Sequence, residues 1–131
     1  MGDTLAFTAG LPTKRVAAGV LFHGPDGRIL LVEPTYKDYW DLPGGLVERN
    51  ESPASTAARE VKEELGLVVR VGNLLVVDWF APVPGAVTEA LMFVFDGGYL
   101  SRAHTDQIRL QGDELRSWAW STPAETATRM T

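Results

Sequence analysis

The chain has 131 residues, of which 45% are hydrophobic and 22% charged, and its formal net charge is −5. This length predicts a single domain, residues 1–131, large enough to bury a core without covalent staples. The negative charge argues against a nucleic-acid polymer as the main partner, because proteins that bind such polymers present a basic face. There is no cysteine, which excludes disulfides, thiolate zinc sites and cysteine nucleophiles.

The sequence carries no signal for a membrane span or for secretion. No apolar run reaches the length that crosses a bilayer. Residues 1–12 lack the basic region and the apolar core of a signal peptide, and we expect this segment to be flexible. We therefore expect a cytoplasmic protein with no membrane partner.

Two strands are predicted in the first part of the chain. Residues 14–22 form the first, and the Gly-Pro-Asp-Gly sequence at 24–27 predicts a turn into the second, residues 28–33. The continuous apolar run Ile29–Val32 is typical of a strand that is buried on both faces. A loop and a turn rich in proline and glycine follow, over residues 34–45.

A helix is predicted next. Ser52 is a suitable N-cap, and Pro53 suits the first helical position because its missing N–H would be unpaired there anyway. Gly66 is typical of the residue that ends a helix. Four apolar residues at a 4-3-4 spacing predict the buried stripe of this helix, namely Ala54, Ala58, Val61 and Leu65.

Three carboxylates on the same helix lie on a different arc from this stripe. Glu60, Glu63 and Glu64 are three and four positions apart, so they share one helical face, where each like-charge pair costs about 0.2–0.5 kcal/mol. An acidic helix face is most often simply solvated. A cation would instead turn the repulsion into attraction, and hard divalent ions such as Mg²⁺ prefer oxygen ligands. The pattern therefore suggests a divalent-metal site.

The second half of the chain predicts further strands and a short last helix. Pro and Gly mark residues 81–85 as a loop, and Thr122 with Glu125 has the form of a capping box. The predicted strands are residues 67–71, 74–80, 88–95 and 115–120. Strands on both sides of a central helix indicate an α/β fold, a mixed sheet covered by helices.

The run that starts at Gly45 resembles the signature of the Nudix hydrolase family. Nine residues within 23 positions fit the fixed positions of that signature: Gly45, Glu51, Arg59, Glu60, Val61, Glu63, Glu64, Gly66 and Leu67. Residues 40–44 are also similar to the segment that commonly precedes it. The resemblance covers residues 14–125 and implies the family's α/β/α sandwich with a mixed sheet.

The resemblance also implies a reaction, the hydrolysis of a nucleoside diphosphate linked to another group, with Mg²⁺ or Mn²⁺ as cofactor. By position, Glu60, Glu63 and Glu64 would bind the metal, with the backbone carbonyl of Gly45 as a further ligand. Divalent ions screen a diphosphate and make bound water more acidic, which is the chemistry such a hydrolysis needs.

The same comparison implies supporting roles. Arg59 would orient the helix carboxylates by pairing with Glu51, while Gly44 permits a tight backbone turn. A carboxylate is expected to take the proton of the attacking water. The candidates are Glu63 and Glu64, with three carboxylates of a later loop as rivals: Asp106, Asp113 and Glu114.

The substrate is less well defined by the sequence. Trp40 and Trp79 are the candidates for stacking on a base. The small size of the chain favours a nucleoside triphosphate or a similar small nucleotide. Pro82 lies fifteen positions after Leu67, an offset associated with the branch of the family that cleaves ADP-ribose, so ADP-ribose or a nucleotide sugar is the alternative. A non-catalytic nucleotide sensor is the other functional class considered, although the complete set of motif carboxylates argues against it.

The predicted last helix is short. After Thr122 the sequence allows only one or two helical turns, whereas family members often have a longer terminal helix. Either a second copy of the chain compensates for the shorter helix, or the tail is short or incomplete. A homodimer is the expectation that the resemblance to the family suggests.

Overall fold

The computed structural model describes residues 2–85 and 88–131, and it contains one six-stranded sheet and four α-helices. The strands are β1 Arg15–His23, β2 Ile29–Pro34, β3 Gly44–Leu46, β4 Leu74–Phe80, β5 Ala90–Tyr99 and β6 Leu115–Ser121. The helices are α1 Gly2–Ala9, α2 Pro53–Leu65, α3 Arg102–Thr105 and α4 Pro123–Arg129, with a 3₁₀ turn at Pro25–Gly27.

The sheet is mixed, and its strand order is β4-β5-β1-β2-β6, with the short β3 paired to β1. β1 and β5 run parallel, while the other pairs are antiparallel. β3 pairs with the middle of β1, with Gly44 opposite Gly19 and Gly45 opposite Ala18. This pairing brings the glycine turn onto the centre of the sheet. The prediction of an α/β fold with a mixed sheet is confirmed.

The main core lies between the sheet and α2. The buried side chains of β1 alternate along the strand, as expected when one face of a strand points at a helix. Those of α2 come from successive turns. The central members of this core are Ala18, Val20, Phe22, Ala57, Val61 and Leu65. In β2, Leu30, Leu31 and Val32 are all buried, which confirms the prediction of a strand buried on both faces.

Helix α2 begins and ends at the predicted residues, but one part of its predicted stripe is wrong. Ser52 accepts a hydrogen bond from the Ser55 N–H, and Gly66 has the left-handed conformation with φ of 71° that ends the helix. Ala54 is exposed, and the buried face instead contains Thr56, Ala57, Val61, Glu64 and Leu65. One of the three carboxylates expected on the acidic face therefore belongs to the buried face.

Several other elements differ from the prediction. Residues 67–71 form no strand, because this segment leaves α2 as an irregular connection whose Leu67 side chain packs into the core. The strand predicted at 88–95 is found at 90–99, and β3 and α3 were not predicted. Helix α1 lies within the segment expected to be flexible, of which Met1 is outside the described residues.

The last helix is short, as predicted. Thr122 and Glu125 form both hydrogen bonds of the capping box, and α4 spans seven residues. Within the described residues, no helix combines the length and apolar character needed to cross a bilayer.

Candidate active site

Two consecutive glycines set how closely α2 approaches the sheet. A Cβ added at Gly44 would overlap the Ala18 carbonyl of β1, and one added at Gly45 would overlap the carboxylate of Glu60 on α2. A side chain at Gly44 would displace the backbone of β1, whereas one at Gly45 would displace the Glu60 carboxylate. The turn therefore lies directly between β1 and the acidic part of α2, which brings backbone groups and helix carboxylates into contact.

Glu64 is the buried carboxylate of this contact. Its residue is only 7% exposed, and its Oε1 accepts a hydrogen bond of 2.7 Å from the Gly44 N–H. Burial raises the pKa of Glu64 to about 8, with further raising by the charges of Glu60, Asp41 and Glu114, against the lowering effect of the Gly44 N–H. At neutral pH this side chain is thus largely uncharged unless a cation compensates it.

Arg59 organises the other carboxylates of the helix. Its Nε donates to Glu51 Oε2 at 2.7 Å and its Nη2 to Glu51 Oε1 at 2.9 Å, a two-pronged pair. Its Nη1 donates to Glu60 Oε1 at 2.9 Å and to Glu63 at 3.3 Å. Nη2 also reaches the Leu46 carbonyl at 3.2 Å. One guanidinium therefore links the loop before α2, the strand β3 and two helix carboxylates.

This arrangement shifts the pKa values of Glu51 and Glu60 in opposite directions. The donors of Arg59, together with the Thr56 hydroxyl and the Glu48 N–H, lower the pKa of Glu51 to about 2. Burial raises the pKa of Glu60 above its ordinary value, because Arg59 only partly offsets the burial and the neighbouring negative charges. Glu51 is therefore ionised at neutral pH, whereas burial makes the ionised form of Glu60 less favourable than that of an exposed glutamate.

The donor set fits a hard divalent cation. Within residues 2–85 and 88–131, no three His, Asp or Glu side chains are already gathered as a metal cage. In this structure Arg59 donates hydrogen bonds to Glu60 and Glu63, and the Gly44 N–H donates one to Oε1 of Glu64. Glu60 and Glu64, whose ionisation is opposed by burial and by nearby negative charges, would nonetheless gain most from a dication, and their oxygens are suitable ligands.

An apolar cavity of about 410 Å³ lies on the sheet beside this site. Its walls come from β4, β5 and the segment before β3. The residues that line it include Trp40, Asp41, Leu42, Asp78, Phe80 and Met92. Asp41 connects the two regions, because it lines the cavity and its charge also acts on Glu64. The volume falls in the range of about 300–1,000 Å³ that is usual for small-molecule sites.

The end of the chain holds one wall of this cavity in place. The backbone N–H of Trp40 donates to the Arg129 carbonyl at 2.7 Å, and the Arg129 guanidinium lies 4.9 Å from the centre of the Trp40 ring. Met130 also lines the cavity. The short α4 therefore supports the loop that carries Trp40.

The structure separates the two tryptophans that were candidates for stacking on a base. Trp40 lines the cavity. In β4, Asp78 and Phe80 line the cavity, so Trp79 between them points to the opposite face of the sheet, where its Nε1 donates to Glu89 Oε1 at 2.9 Å. The geometry favours Trp40 and not Trp79 as a contact for a ligand in this cavity.

Comparison with known proteins gives the family. A family model described as "NUDIX domain" matches residues 13–131. The chain belongs to the Nudix family. Nudix hydrolases are pyrophosphohydrolases that act on acid anhydrides, and they generally use divalent metal ions.

Curated relatives and solved structures agree with this assignment. The chain is 33% identical over 113 residues to a "MutT-like protein" of Streptomyces ambofaciens, an alignment that covers 86% of this chain and 66% of the relative. It is 44% identical over 64 residues to "Diphosphoinositol polyphosphate phosphohydrolase 2" of Rattus norvegicus, which covers 47% of this chain and 36% of the relative. The chain thus spans two thirds or less of the length of these relatives.

Among solved structures, a MutT protein from Methanosarcina mazei Go1 superposes with a TM-score of 0.70 at 27% identity. That superposition covers 85% of this chain and 79% of the other. The similarity therefore extends well beyond the 23 positions of the motif.

Of the three loop carboxylates considered as rival bases, one is near the Nudix helix. The charge of Glu114 acts on both Glu60 and Glu64. The Asp106 N–H closes the end of α3, and the Asp113 carbonyl accepts a hydrogen bond from Thr35. Glu114 is thus the rival base whose charge acts on this part of the helix.

Sequence reasoning missed several residues of the site. Asp41 belongs to a segment similar to the one that precedes the Nudix motif, and this was the only available signal for it. Asp78 and Met92 lie on strands far away along the chain, and nothing in their local sequence indicates that they share a cavity. The hydrogen bond from Gly44 to Glu64 depends on how closely the turn approaches α2, and it had no sequence signal.

Proposed function

We propose that this chain is a divalent-metal-dependent pyrophosphohydrolase that cleaves the pyrophosphate linkage of a small nucleotide, with a nucleoside triphosphate as the first choice of substrate. One observation carries the proposal: Glu60 and Glu64 of the Nudix helix converge on the Gly44–Gly45 turn beside an apolar cavity of about 410 Å³. Carboxylate oxygens that can bind a cation are thus adjacent to a pocket of suitable size for a nucleobase.

Mg²⁺ or Mn²⁺ is the proposed cofactor, held by Glu60, Glu63 and Glu64 with the backbone carbonyl of Gly45. When bound, such an ion supplies positive charge against the pyrophosphate and acidifies water. Arg59 contributes by positioning, since it is anchored to Glu51 through two hydrogen bonds and directs a third donor at Glu60. Arg59 can release Glu60 and Glu63 to a cation while it keeps its contact with Glu51.

A carboxylate of this group takes the proton from the attacking water. Glu63 and Glu64 remain candidates, and Glu114 is the loop carboxylate whose charge already acts on this part of the helix. The water then forms a bond to phosphorus as the bridging P–O bond breaks, and the leaving phosphate or pyrophosphate departs with the bridging oxygen. A general base within hydrogen-bonding reach of the water typically contributes about 10²–10⁴-fold.

The cavity is suited to the base of the nucleotide. Its walls are mainly apolar, and Trp40 offers an aromatic face. Asp41 lies between this cavity and the buried Glu64, so a base in the cavity would place the attached phosphates towards the helix carboxylates. ADP-ribose or a nucleotide sugar is the alternative substrate, and a non-catalytic nucleotide sensor is the alternative function.

A substrate screen tests the proposal. Nucleoside triphosphates, ADP-ribose and nucleotide sugars are each incubated with the protein and with Mg²⁺ or Mn²⁺, and the products are separated chromatographically. We expect a nucleoside triphosphate to give the highest kcat/KM. Preference for ADP-ribose would change the substrate assignment. Nucleotide binding without hydrolysis under either metal would contradict the proposed enzyme and support a sensor.

A further inference from the structure

The apolar cavity has two carboxylates in its wall, and they lie on opposite sides of β1. Asp41 exchanges backbone hydrogen bonds with Val32 of β2, the strand that follows β1 in the sheet order. Asp78 belongs to β4, at the other end of the sheet, where it lies opposite Met92 of β5, which in turn lies opposite Ala17 of β1. Because neighbouring strands are about 4.8 Å apart, Asp78 is about 10 Å from β1.

Only the first of these two carboxylates is paired with a cation among the described residues. Asp41 Oδ2 accepts a hydrogen bond of 2.7 Å from Lys37 Nζ, and its Oδ1 accepts one of 2.9 Å from the Leu42 N–H. Asp78 accepts a hydrogen bond from the adjacent Trp79 N–H, which donates to Oδ1 at 2.9 Å. Asp78 is also exposed, so a ligand in the cavity can reach it. It is therefore the carboxylate of the cavity wall that can accept hydrogen bonds from a ligand.

A carboxylate at neutral pH only accepts hydrogen bonds, so Asp78 would distinguish nucleobases by their donors. Guanine presents two adjacent donors, N1–H and the 2-amino group, which match the two oxygens of a carboxylate. Adenine and cytosine have an acceptor nitrogen beside their amino group, and uracil and thymine have a carbonyl on each side of their N–H. These acceptors would face the carboxylate and repel it.

We propose that Asp78 makes the cavity selective for a nucleotide whose base carries the guanine-type pair of donors. This inference rests on the proposed function, because it takes the cavity as the pocket for the base. The donor edge of the base binds Asp78 on β4, and Trp40 and Met92 supply apolar surface in the same cavity. The sugar and phosphates then extend past Asp41 towards the helix carboxylates.

The sharpest comparison among substrates is between GTP and ITP, because they differ only in the 2-amino group. A hydrogen bond to a charged group changes affinity by about 10–100-fold. We expect kcat/KM of the wild-type protein to be higher for GTP than for ITP by this factor, and higher than for ATP by at least as much. Steady-state hydrolysis of the three triphosphates measures both ratios.

Asp78→Asn tests the role of the side chain. Asparagine keeps an oxygen for the Trp79 N–H but presents a donor in place of the second acceptor. We expect kcat/KM to fall by about 10-fold or more for GTP and to rise for ATP, whose edge pairs a donor with an acceptor, so that the ratio of GTP to ITP approaches one. A residue that only supported the strand would change all three substrates equally.

Asp26→Asn is the matched control. Asp26 lies in the turn between β1 and β2, and its φ of 55° is in the left-handed region that asparagine tolerates. It is not among the residues that line the cavity. This variant should therefore keep the wild-type ratio of GTP to ITP, and circular dichroism of both variants checks that they are folded.

Binding of GMP and IMP separates recognition of the base from turnover, since neither has an anhydride to cleave. Titrations followed by tryptophan fluorescence should show GMP binding about 10-fold more tightly than IMP in the wild type and equally in Asp78→Asn. If no triphosphate were hydrolysed but this preference were found, the proposed reaction would fail and the role of Asp78 would stand.

Three results would overturn the role of Asp78. They are hydrolysis in which the wild type favours GTP no more than ITP, a preference for GTP that persists in folded Asp78→Asn, and the absence of both binding and hydrolysis. A pterin triphosphate carries the same pair of donors. Its faster hydrolysis than GTP, lost in Asp78→Asn, would support the selection of this donor pair and assign a pterin as the base.

Discussion

The Nudix helix holds its carboxylates in two contrasting surroundings. Glu60 and Glu63 share the guanidinium of Arg59, which Glu51 anchors in turn. Glu64, which directly follows Glu63, is buried, and the Gly44 N–H donates to its Oε1. Arg59 thus supplies positive charge to Glu60 and Glu63, whereas the Gly44 N–H that contacts Glu64 is a neutral donor.

This difference shows how a like-charged helix face can be stable before a cation binds. The Arg59 network reduces the repulsion among the outer carboxylates, while burial keeps Glu64 protonated, with its pKa raised to about 8. The face thus carries less negative charge than its sequence suggests. We infer that a dication restores the charge of Glu64, and the following predictions test or refine this contrast.

The largest expected effect is on turnover. Glu64→Gln keeps an oxygen that can accept the Gly44 N–H but removes the charge, so we expect kcat to fall by more than about 100-fold, beyond the loss typical of an outer-shell partner. Glu63→Gln should also remove most turnover. Steady-state hydrolysis of the best substrate from the screen measures both.

Glu125→Gln is the matched control for these two variants, because glutamine also completes a capping box at the start of α4. We expect it to retain wild-type turnover. If Glu63→Gln and Glu64→Gln both hydrolysed substrate at the wild-type rate, neither carboxylate would have a part in the mechanism.

A smaller loss is expected from Arg59→Lys. Lysine keeps the charge but lacks the planar fork that contacts Glu51 through two atoms and Glu60 through a third. Because Arg59 acts through the carboxylates, we expect turnover to fall by about 10–100-fold and the metal concentration needed for half activity to rise. A fall in kcat with unchanged metal dependence would argue against the positioning role.

The pH dependence of stability distinguishes the two surroundings. The folded-state pKa of Glu64 is above its unfolded value, so folding binds a proton between pH 4.5 and about 8. The contribution of this group is therefore most favourable below pH 4.5, and the free energy of unfolding should decrease by on the order of 4 kcal/mol as pH rises to about 8. Denaturant unfolding of the metal-free protein at several pH values, compared with Glu64→Gln, measures this term. Equal pH profiles in the two proteins would contradict it.

Glu51 should behave in the opposite way, and its effect is the smallest. Its pKa is lowered to about 2, so it stabilises the fold above its ordinary pKa and loses that contribution as pH falls towards 2. Glu51→Gln should lower the melting temperature at neutral pH, and the difference from wild type should shrink in acid. A difference that did not change with pH would mean that the charge of Glu51 is not what stabilises this contact.

Much of the fold could be predicted from the sequence because local signals agree with the final packing. Ser52, Pro53 and Gly66 set the limits of α2, and the strand at residues 74–80 was found as predicted. Residues 67–71 are apolar enough to predict a strand, but they form an irregular connection in which Leu67, Val69 and Val71 pack on the core. Local composition does not distinguish these two outcomes.

The candidate site was predictable only in part. The motif identified the helix carboxylates and the partnership of Arg59 with Glu51, which the structure contains. The burial of Glu64 was not predicted, because the helical stripe was assigned to Ala54 and Ala58 in place of Ala57. The cavity joins residues from distant segments, and it depends on the sheet order that the sequence does not specify.

Metal binding measured by titration calorimetry tests the central claim most directly. If Glu64 is protonated before an ion binds, Mn²⁺ binding at pH 7 should release about 0.9 proton per ion, given a pKa of about 8. The release is obtained from the binding enthalpy in buffers with different ionisation enthalpies, and it should disappear in Glu64→Gln. Binding that releases no proton, or equal proton release by the Glu64→Gln variant, would contradict the account.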